Sequence, residues 1–362
     1  MIYKLRPSVA VVEMKGIIEF FLSNIRKSII LKVSDNIENL LFKFDGNRTF
    51  EDICKEEKIY GDRREEFRQL IEFLNDNKIM LKVDEEYMET YKKYPRIYNL
   101  LEDYYSSKSE INKVFEKFQE SKIMIIGLGA VGTWISHNLI MSGVENLILV
   151  DYDKIEKSNL HRQLGFIRKN IGDLKTRALR TKLLEMNKNL KVELINDKLD
   201  FKFFEKHKFE KIDLIINCAD YPNVDITSEI IGEYCMKKNI PHLIGGGYNL
   251  HMTLIGQAVI PGESACVNCF KKNLEEINKI DTKNIKKLIK QERKIGSFTP
   301  LVTLTSSITS NEAIKILLGI NKIVMKNNRC EFKLNTMNFE NLILDRRKDC
   351  EWCGEKGKYY KI

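Results

Sequence analysis

The chain has 362 residues, 43% of them hydrophobic, which is enough for one large and one small domain with buried cores. Its 60 Lys and Arg residues exceed its 51 Asp and Glu residues and give a net charge of +9, but the lysines are interspersed with glutamates along most of the chain. Interspersed charges are typical of a solvated surface, so we do not expect nucleic acid binding.

The composition also bears on membranes and disulfides. No run of about 18 apolar residues occurs, which predicts no membrane span. The first residues, MIYKLRPSVAVVEMKG, contain charges and no small-residue cleavage site, so we expect no secretory signal and a cytoplasmic protein. Because that compartment keeps thiols reduced, we expect the eight cysteines to be metal ligands or buried thiols rather than disulfides.

Residues 1–88 contain short strand and helix patterns. SIILKV predicts an amphipathic strand, and the apolar spacing that follows predicts a helix through Ile37, Leu40, Leu41 and Phe44. A turn is expected at residues 45–47, then a short helix that Thr49 caps, with Asp52 completing a capping box. REEFRQLIEFLNDNKI and MLKVD predict a further helix and strand. Together these elements predict a small α+β, winged-helix-like domain.

The stretch LLFKFDGNRTFEDICKE within this domain resembles the PqqD-like peptide-recognition domains that are fused to enzymes modifying ribosomally made peptides. The resemblance implies that a leader or core peptide adds as a strand to an exposed sheet edge, where backbone hydrogen bonds supply affinity. A purely structural or dimerising domain is the alternative.

A tyrosine-rich linker with helices is expected over residues 89–120, and a large domain over residues 121–362. Strand patterns in the large domain alternate with helix patterns: the strands are IMIIG, NLILVD, VELIND, IDLIINCAD and PHLIGGG, and helical segments follow IMIIG, NLILVD and IDLIINCAD. This alternation predicts a Rossmann-like, doubly wound, mostly parallel sheet, and the segments from LIGQAVIPG onward add antiparallel strands and a helix. The basic stretch within residues 271–300 is expected to be a mobile surface crossover loop, although it could attract phosphates or an acidic peptide.

A glycine loop opens the large domain. Gly127-x-Gly129-x-x-Gly132 lies between a predicted strand and a predicted helix, and Asp151 ends the next strand. Such a loop binds phosphates because glycines allow close backbone approach and the helix N-terminus presents free N–H groups, while the carboxylate accepts from ribose hydroxyls. Taken alone the pattern is a weak signal that fits NAD and ATP equally.

The residues that follow favour ATP. Cations and carboxylates beyond the loop suit nucleotidyl transfer, in which Arg162 and Lys175 clamp a triphosphate and Asp220 holds Mg²⁺. A hydride-transfer site would gain little from these cations and carboxylates. The polar set comprises Asp153, Asn159, Arg162, Gln163, Lys175 and Asp220.

Four motifs in order, GLGAVG, VDYDKIEKSNLHRQ, IGDLK and CADYPN, resemble the ThiF/MoeB/HesA family of ATP-dependent adenylating enzymes, relatives of ubiquitin-activating enzymes. The resemblance implies that the carboxyl group of a protein or peptide attacks the α-phosphate of ATP, giving an acyl-adenylate and pyrophosphate. The resemblance implies that Asp151 binds the ribose, with Asp153 nearby, and that Asp220 binds Mg²⁺. It also implies that four residues lie on or beside the phosphates: Asn159, Arg162, Gln163 and Lys175.

Two C-x-x-C pairs, Cys266/Cys269 and Cys350/Cys353, are separated by 80 residues. Two such pairs can supply the four thiolates of a closed, tetrahedral zinc site, which has a structural and no catalytic role. The other four cysteines are expected to be inert core thiols. Residues 271–300 contain no cysteine, so we expect no thioester step.

The combination of a small N-terminal module, an adenylating domain and a C-terminal C-x-x-C resembles the branch of this family that adenylates the microcin C heptapeptide. The resemblance implies a ribosomally made precursor peptide as substrate and a homodimer in which Arg96, in YPRIYN, reaches the partner's ATP, although a neighbouring basic residue could serve instead. Activation of a ubiquitin-like sulfur carrier and a non-catalytic peptide-binding scaffold remain alternatives, as does an NAD-dependent oxidoreductase. The fate of the acyl-adenylate is left open.

Overall fold

The computed structural model describes residues 1–14, 16–33, 37–249, 252–278, 296–320 and 322–360. The chain forms two compact units, Met1–Glu116 and Lys117–Ile362. Residues 271–278, expected to belong to a mobile crossover loop over 271–300, instead continue a helix that begins at Val267, and residues 299–300 begin another helix. Residues 279–295 of the predicted loop lie outside the described residues. Among the helices that are described, none has both the length and the apolar character needed to cross a bilayer.

The first unit contains two small antiparallel sheets and short helices. One sheet has the order β5-β1-β6 and the other the order β2-β3-β4. The strands are β1 Ile2–Leu5, β2 Val9–Met14, β3 Ile17–Leu22, β4 Lys27–Lys32, β5 Asp45–Thr49 and β6 Met80–Lys82. The helices are α1 Ile37–Phe42, α2 Phe50–Glu56, α3 Gly61–Asp76, α4 Pro95–Leu101 and α5 Lys108–Glu120, with a 3₁₀ turn at Glu89–Lys92.

The predicted capping box is present at α2. The Thr49 hydroxyl accepts from the Asp52 N–H at 3.1 Å, and the Asp52 carboxylate accepts from the Thr49 N–H at 3.1 Å. Residues 45–47, where a turn is expected, lie within strand β5, whose antiparallel pairing with β1 is irregular between Ile2 and Lys4. Inside this strand the Asp45 carboxylate accepts from the N–H groups of Asn47 and Arg48, which is the bonding of an Asx turn. The segment 95–118 packs through buried aromatic rings, with Tyr98 and Phe115 centroids 4.7 Å apart.

The second unit is built on a six-stranded sheet with the order β14-β11-β10-β7-β8-β9. Five strands are parallel, and β14 pairs antiparallel with β11. They are β7 Lys122–Ile126, β8 Asn146–Val150, β9 Lys191–Ile195, β10 Leu214–Asn217, β11 His242–Ile244 and β14 Ala258–Val259. The connecting helices are α6 Ala130–Met141, α7 Lys175–Met186, α8 Phe203–Lys206 and α9 Val224–Lys238, with 3₁₀ turns at Lys157–Asn159 and Arg168–Asn170.

A four-stranded antiparallel sheet follows, with the order β12-β13-β15-β16. Its strands are β12 Gly247–Asn249, β13 Met252–Ile255, β15 Asn328–Lys333 and β16 Asn338–Ile343, and the remaining helices are α10 Val267–Asn278 and α11 Thr299–Leu318. The expected mostly parallel sheet with C-terminal antiparallel strands is thereby confirmed. Strand order reverses at β7, whose neighbours are β8 and β10, and a crevice at the carboxyl ends of the strands is expected at such a point.

Candidate functional site

A cleft of about 1950 Å³ lies in the second unit at the carboxyl ends of β7, β8, β10 and β11. Its lining extends from the glycine loop at Gly127 to α10 and to Trp352 near the C-terminus. Clefts that hold one drug-sized ligand have volumes of roughly 300–1000 Å³. This cleft therefore has room for a nucleotide and part of a second substrate.

Backbone packing explains the glycine loop. Gly127 has φ +92°, and a Cβ there would lie 2.5 Å from the Cys218 carbonyl carbon. A Cβ on Gly132 would lie 2.0 Å from the Gly127 carbonyl oxygen, so both positions exclude a side chain. At Gly129, the N-cap of α6, a Cβ would meet nothing within 4 Å, and no side chain caps the helix. The first N–H groups of α6 are therefore available to a phosphate.

Asp151 is held by the backbone around it. Its carboxylate accepts from the Leu128 N–H and from the Asp153 N–H, each at 2.7 Å, and the residue is 8% exposed. Burial raises the pKa of Asp151 above its ordinary value, while Lys175 acts in the opposite direction. The carboxylate is thus fixed at the end of β8, beside the glycine loop, where hydroxyl donors of a ligand would stabilise its charged form.

Lys175 is a buried cation at the first residue of α7. Its Nζ lies 2.7 Å from Asp153 Oδ2 and 3.8 Å from Asp151 Oδ2, and its side chain is 8% exposed. A positive charge at a helix N-terminus opposes the helix dipole, and α7 has no acidic residue in its first turn. The two carboxylates compensate this charge, and the ammonium lies on the cleft lining.

The segment 158–163 brings further polar groups to the cleft. Arg162 Nη1 donates to the Ser158 carbonyl at 2.5 Å, and across the described residues its guanidinium has no carboxylate partner. Gln163 is buried, and its Oε1 has no hydrogen-bond partner among the residues described. Asn159 uses its Oδ1 to accept from the Glu156 N–H at 2.9 Å, which fixes the 3₁₀ turn. Arg162 Nη1 also lies 2.9 Å from His161 Nε2. Since no carboxylate among the described residues neutralises the guanidinium, its charge is available to an anionic ligand.

Asp220 is an exposed carboxylate on the loop after β10, and it lines the cleft. Asn217 holds this loop in place. Its Oδ1 accepts from the Ala219 N–H at 3.0 Å, while its Nδ2 donates to Thr227 at 3.0 Å and to Ser228 at 3.2 Å. An exposed carboxylate on a fixed loop is the type of ligand that Mg²⁺ binds in phosphate sites. Asn217 was not singled out from the sequence.

A second group that sequence reasoning missed is aromatic. Tyr152 and Tyr221 line the cleft, and Lys198 Nζ lies 3.8 Å from the Tyr221 ring centroid and 5.9 Å from that of Tyr152. Each tyrosine directly follows a candidate site carboxylate in the sequence, Tyr152 after Asp151 and Tyr221 after Asp220. This adjacency could have indicated that both rings lie in the cleft. Arg96 lies exposed on the first turn of α4, in the first unit, and its expected role across a dimer stays a prediction.

The two C-x-x-C pairs meet as a buried cluster of four thiols whose sulfurs all lie within 4.8 Å of one another. The Sγ–Sγ distances are 3.8 Å for Cys266–Cys269, 3.5 Å for Cys266–Cys350 and 3.3 Å for Cys269–Cys353. A zinc ion with Zn–S bonds of about 2.3 Å has sulfurs roughly 3.8 Å apart at the corners of its tetrahedron. The cluster therefore has the composition and spacing of a closed four-thiolate zinc site.

The comparisons with known proteins agree with this geometry. The family model described as the ThiF family matches residues 107–353. The chain is 27% identical to molybdopterin-synthase adenylyltransferase of Escherichia coli (strain K12) over 66% of this chain and 90% of that protein. It is 26% identical to sulfur carrier protein ThiS adenylyltransferase of the same organism over 66% of this chain and 88% of that protein.

Among solved structures, that of E. coli MccB with AMPCPP and MccA covers 98% of this chain and 100% of MccB, with a TM-score of 0.74 and 21% identity. MccB is a microcin C7 biosynthetic enzyme. At this identity the likeness shows the fold of the chain. Because the family match spans more than half of the chain and the curated relatives are adenylyltransferases, the chain belongs to the ThiF family and is an adenylyltransferase.

Proposed function

We propose that this adenylyltransferase activates the C-terminal or a side-chain carboxylate of a ribosomally synthesised peptide, in the biosynthesis of a modified peptide natural product. The observation that carries the proposal is the extent of the structural match. The family model begins at residue 107, whereas the MccB fold covers 98% of the chain and so includes the first unit. Enzymes that act on a carrier protein have no evident need for such a unit.

The chemistry follows from the groups that line the cleft. A substrate carboxylate oxygen attacks the α-phosphorus of ATP, the bond to the bridging oxygen breaks, and pyrophosphate leaves with that electron pair. Lys175 and Arg162 compensate the negative charge of the phosphates, and the α6 N-terminus binds them through its N–H groups. Asp151 accepts from the ribose, Asp153 orients Lys175, and Tyr152 and Tyr221 offer aromatic surface to the base.

Asp220 would hold Mg²⁺, which supplies further charge neutralisation when bound. Asn159 and Gln163 would support the phosphate-binding segment, and the Gln163 Oε1, which has no partner within the described part of the chain, would accept from a ligand donor. The protein thus contributes positioning and charge stabilisation rather than a covalent intermediate. We also propose that the four-cysteine cluster binds zinc, which would fix the C-terminal loop to α10.

For the first unit we propose peptide recognition by residues 1–88. The sheet β2-β3-β4 has β2 and β4 as its edge strands, and Val12, Met14 and Ile30 are exposed on them. An extended peptide can add to such an edge through backbone hydrogen bonds and place side chains against exposed apolar residues. A homodimer in which Arg96 reaches the partner's nucleotide belongs to the same proposal.

The experiment is to measure pyrophosphate release, with mass spectrometry of the products, when ATP·Mg²⁺ is supplied with short peptides encoded beside the gene. Peptide-dependent release with a matching mass change supports the proposal. Lys175→Ala should abolish release, and Lys182→Ala serves as the matched control, since Lys182 lies on the same helix and pairs with Glu185 on the surface.

A second candidate function is activation of a sulfur-carrier protein, which the two curated relatives favour. The same assay distinguishes the two. If no peptide stimulates release but a carrier protein ending in Gly-Gly does, the peptide proposal is wrong and the carrier activity replaces it.

A further inference from the structure

Helix α10 has two functional faces. Most of its cleft-lining residues lie on one face, and Asn268 at the edge of that face lines the cleft as well; the residues on the face are Val267, Phe270, Lys271, Leu274, Glu275 and Asn278. Residues on the other face, at the spacing of one helical turn, contact the C-terminal loop 345–353. Because residues three and four apart share a helix face, contacts on the second face fix the direction of the first.

The second face is attached to the loop at several points. Asn268 Nδ2 lies 3.8 Å from Cys350 Sγ, Lys272 Nζ lies 3.0 Å from Glu351 Oε1, and Asn273 Nδ2 donates to the Asp345 carbonyl at 2.9 Å. Asn268 also lines the cleft, and so do Glu351 and Trp352 of the loop. The loop and the helix therefore form one wall of the cleft together.

Arg347 lies at the centre of this attachment. Its guanidinium donates to Asn273 Oδ1 at 3.0 Å and to Glu276 Oε2 at 2.6 Å, both on α10. It also binds both carboxylate oxygens of Asp349, each at 2.9 Å, and its own N–H donates to Cys269 Sγ at 3.4 Å. The side chain of Arg347 thus joins the α10 helix to the C-terminal loop, and its backbone N–H adds a contact to a residue of the four-cysteine cluster.

We propose that Arg347 is a positioning residue that holds α10 as the wall of the part of the cleft that takes the acyl substrate. The assignment of that wall to the acyl substrate rests on the proposed function. The nucleotide groups, from the glycine loop to Asp220, come from the loops after β7, β8 and β10, whereas α10 lines the same cleft and contributes none of them, which leaves its wall to the second substrate. A planar guanidinium with five donors suits this task because it binds three partners in fixed directions.

Hydrogen–deuterium exchange of the full-length protein tests the positioning directly and needs no substrate. Arg347→Met should raise the exchange rate of amides in residues 267–278 by about tenfold, while residues 127–132 exchange as in the unmodified chain. Glu276→Ala removes the carboxylate partner of Arg347 on α10, keeps the Asn273 contact and leaves every contact to the cysteines intact, so it should loosen the same residues even if Arg347→Met loses metal. Unchanged exchange at 267–278 in both variants would overturn the proposal.

A matched control is available on the same C-terminal segment. Lys358 Nζ lies 2.6 Å from Glu233 Oε1 on α9, so Lys358→Met removes an ion pair of the segment without touching α10. It should leave the exchange of residues 267–278 unchanged. Equal loosening by this variant would mean that the whole segment acts as a structural unit, and the positioning role of Arg347 would be wrong.

The kinetic readout uses the peptide that supports pyrophosphate release. Arg347→Met should raise KM for the peptide by about tenfold and leave KM for ATP within about twofold, with Arg347→Lys intermediate. A rise in KM for ATP of equal size would contradict the proposal. If only a carrier protein is adenylated, the proposed peptide function fails, and the exchange measurement still decides whether Arg347 positions α10.

Discussion

The two sides of the cleft are held by different forces. At the glycine loop, backbone atoms leave no room for side chains at Gly127 and Gly132, and Asp151 is fixed by two backbone N–H groups. At α10, the wall is held by side chains and by thiols from segments 80 residues apart. The first side is thus set by backbone packing and backbone hydrogen bonds and the second by side-chain contacts and thiols, so substitutions should affect them differently.

The largest effect is expected at the four-cysteine cluster. Cys350→Ser should release the proposed zinc and lower the free energy of unfolding by roughly 5 kcal/mol, because three buried thiols lose their common ligand. Metal analysis and thermal melting check this. Cys330→Ser is the control, since Cys330 is buried outside the cluster and should keep the metal. Full metal content in Cys350→Ser would show that the cluster is not the site.

The glycine loop provides the next contrast. Gly132→Ala should abolish nucleotide-dependent activity and lower stability by about 3 kcal/mol, because its Cβ would lie 2.0 Å from the Gly127 oxygen. Gly129→Ala meets no atom within 4 Å and should cost less than about 1 kcal/mol. Thermal melting of the two variants separates steric exclusion from helix capping. Equal losses would contradict the steric explanation.

Substitutions of Lys175 and Asp220 should differ in whether they lower stability as well as catalysis. Lys175→Met and Asp220→Asn are each expected to lower pyrophosphate release by about 10²–10³-fold, as for the loss of one charge-stabilising group. Only Lys175→Met should also lower stability, by about 1–2 kcal/mol, because it leaves the buried Asp151 without its cation. Normal turnover in either variant would remove that residue from the proposed site.

The smallest expected effect is a dependence of stability on pH that arises from His242 in β11. This strand is followed directly by Gly245 and Gly246, which line the cleft. Burial lowers the pKa of His242 to about 4, so the unfolded chain binds the proton more tightly. The contribution of neutral His242 to the free energy of unfolding is therefore fully present above about pH 6.5 and is lost as the pH falls toward about 4. The free energy of unfolding should decrease by about 2 kcal/mol between pH 7 and pH 5. Denaturant melts at both pH values measure it.

In the same measurement, His242→Gln should flatten this dependence. Burial also lowers the pKa of His137, so His137 would account for any remaining dependence of the variant's stability on pH. A slope unchanged from that of the native chain would show that His242 does not contribute.

The sequence was informative where geometry requires one residue type at one spacing. Gly127 and Gly132 could be predicted because a Cβ at either position collides with backbone, and Lys175 belongs to an ordered set of motifs. The helices that follow β7, β8 and β10 were expected from the alternation of strand and helix patterns, whereas residues 271–278 of α10 were assigned to a loop because that stretch is rich in lysine and glutamate. Strand β3 was not predicted, because IIEFFL is apolar at nearly every position and hides the alternation that buries Ile18 and Phe20.

The contacts of Arg347 and of the tyrosines could not be predicted from the sequence. Arg347 lies in a polar segment whose charges resemble those of any solvated loop, and its partners on α10 are more than 70 residues away. Likewise Tyr152, Lys198 and Tyr221 follow three different strands, and only the sheet order places them together. Pairing across such distances depends on the tertiary fold rather than on local pattern.

The short distances in the four-cysteine cluster have a consequence for oxidative stress. Bound to a metal, the thiolates are protected, but without the ion four sulfurs 3.3–3.8 Å from their neighbours would have to approach by only roughly 1–2 Å to reach the disulfide bond length of about 2.05 Å. An oxidant acting on the metal-free protein would then join neighbouring sulfurs and fix the C-terminal loop in an altered geometry. Metal supply and cellular redox state would therefore act together on the working lifetime of this enzyme.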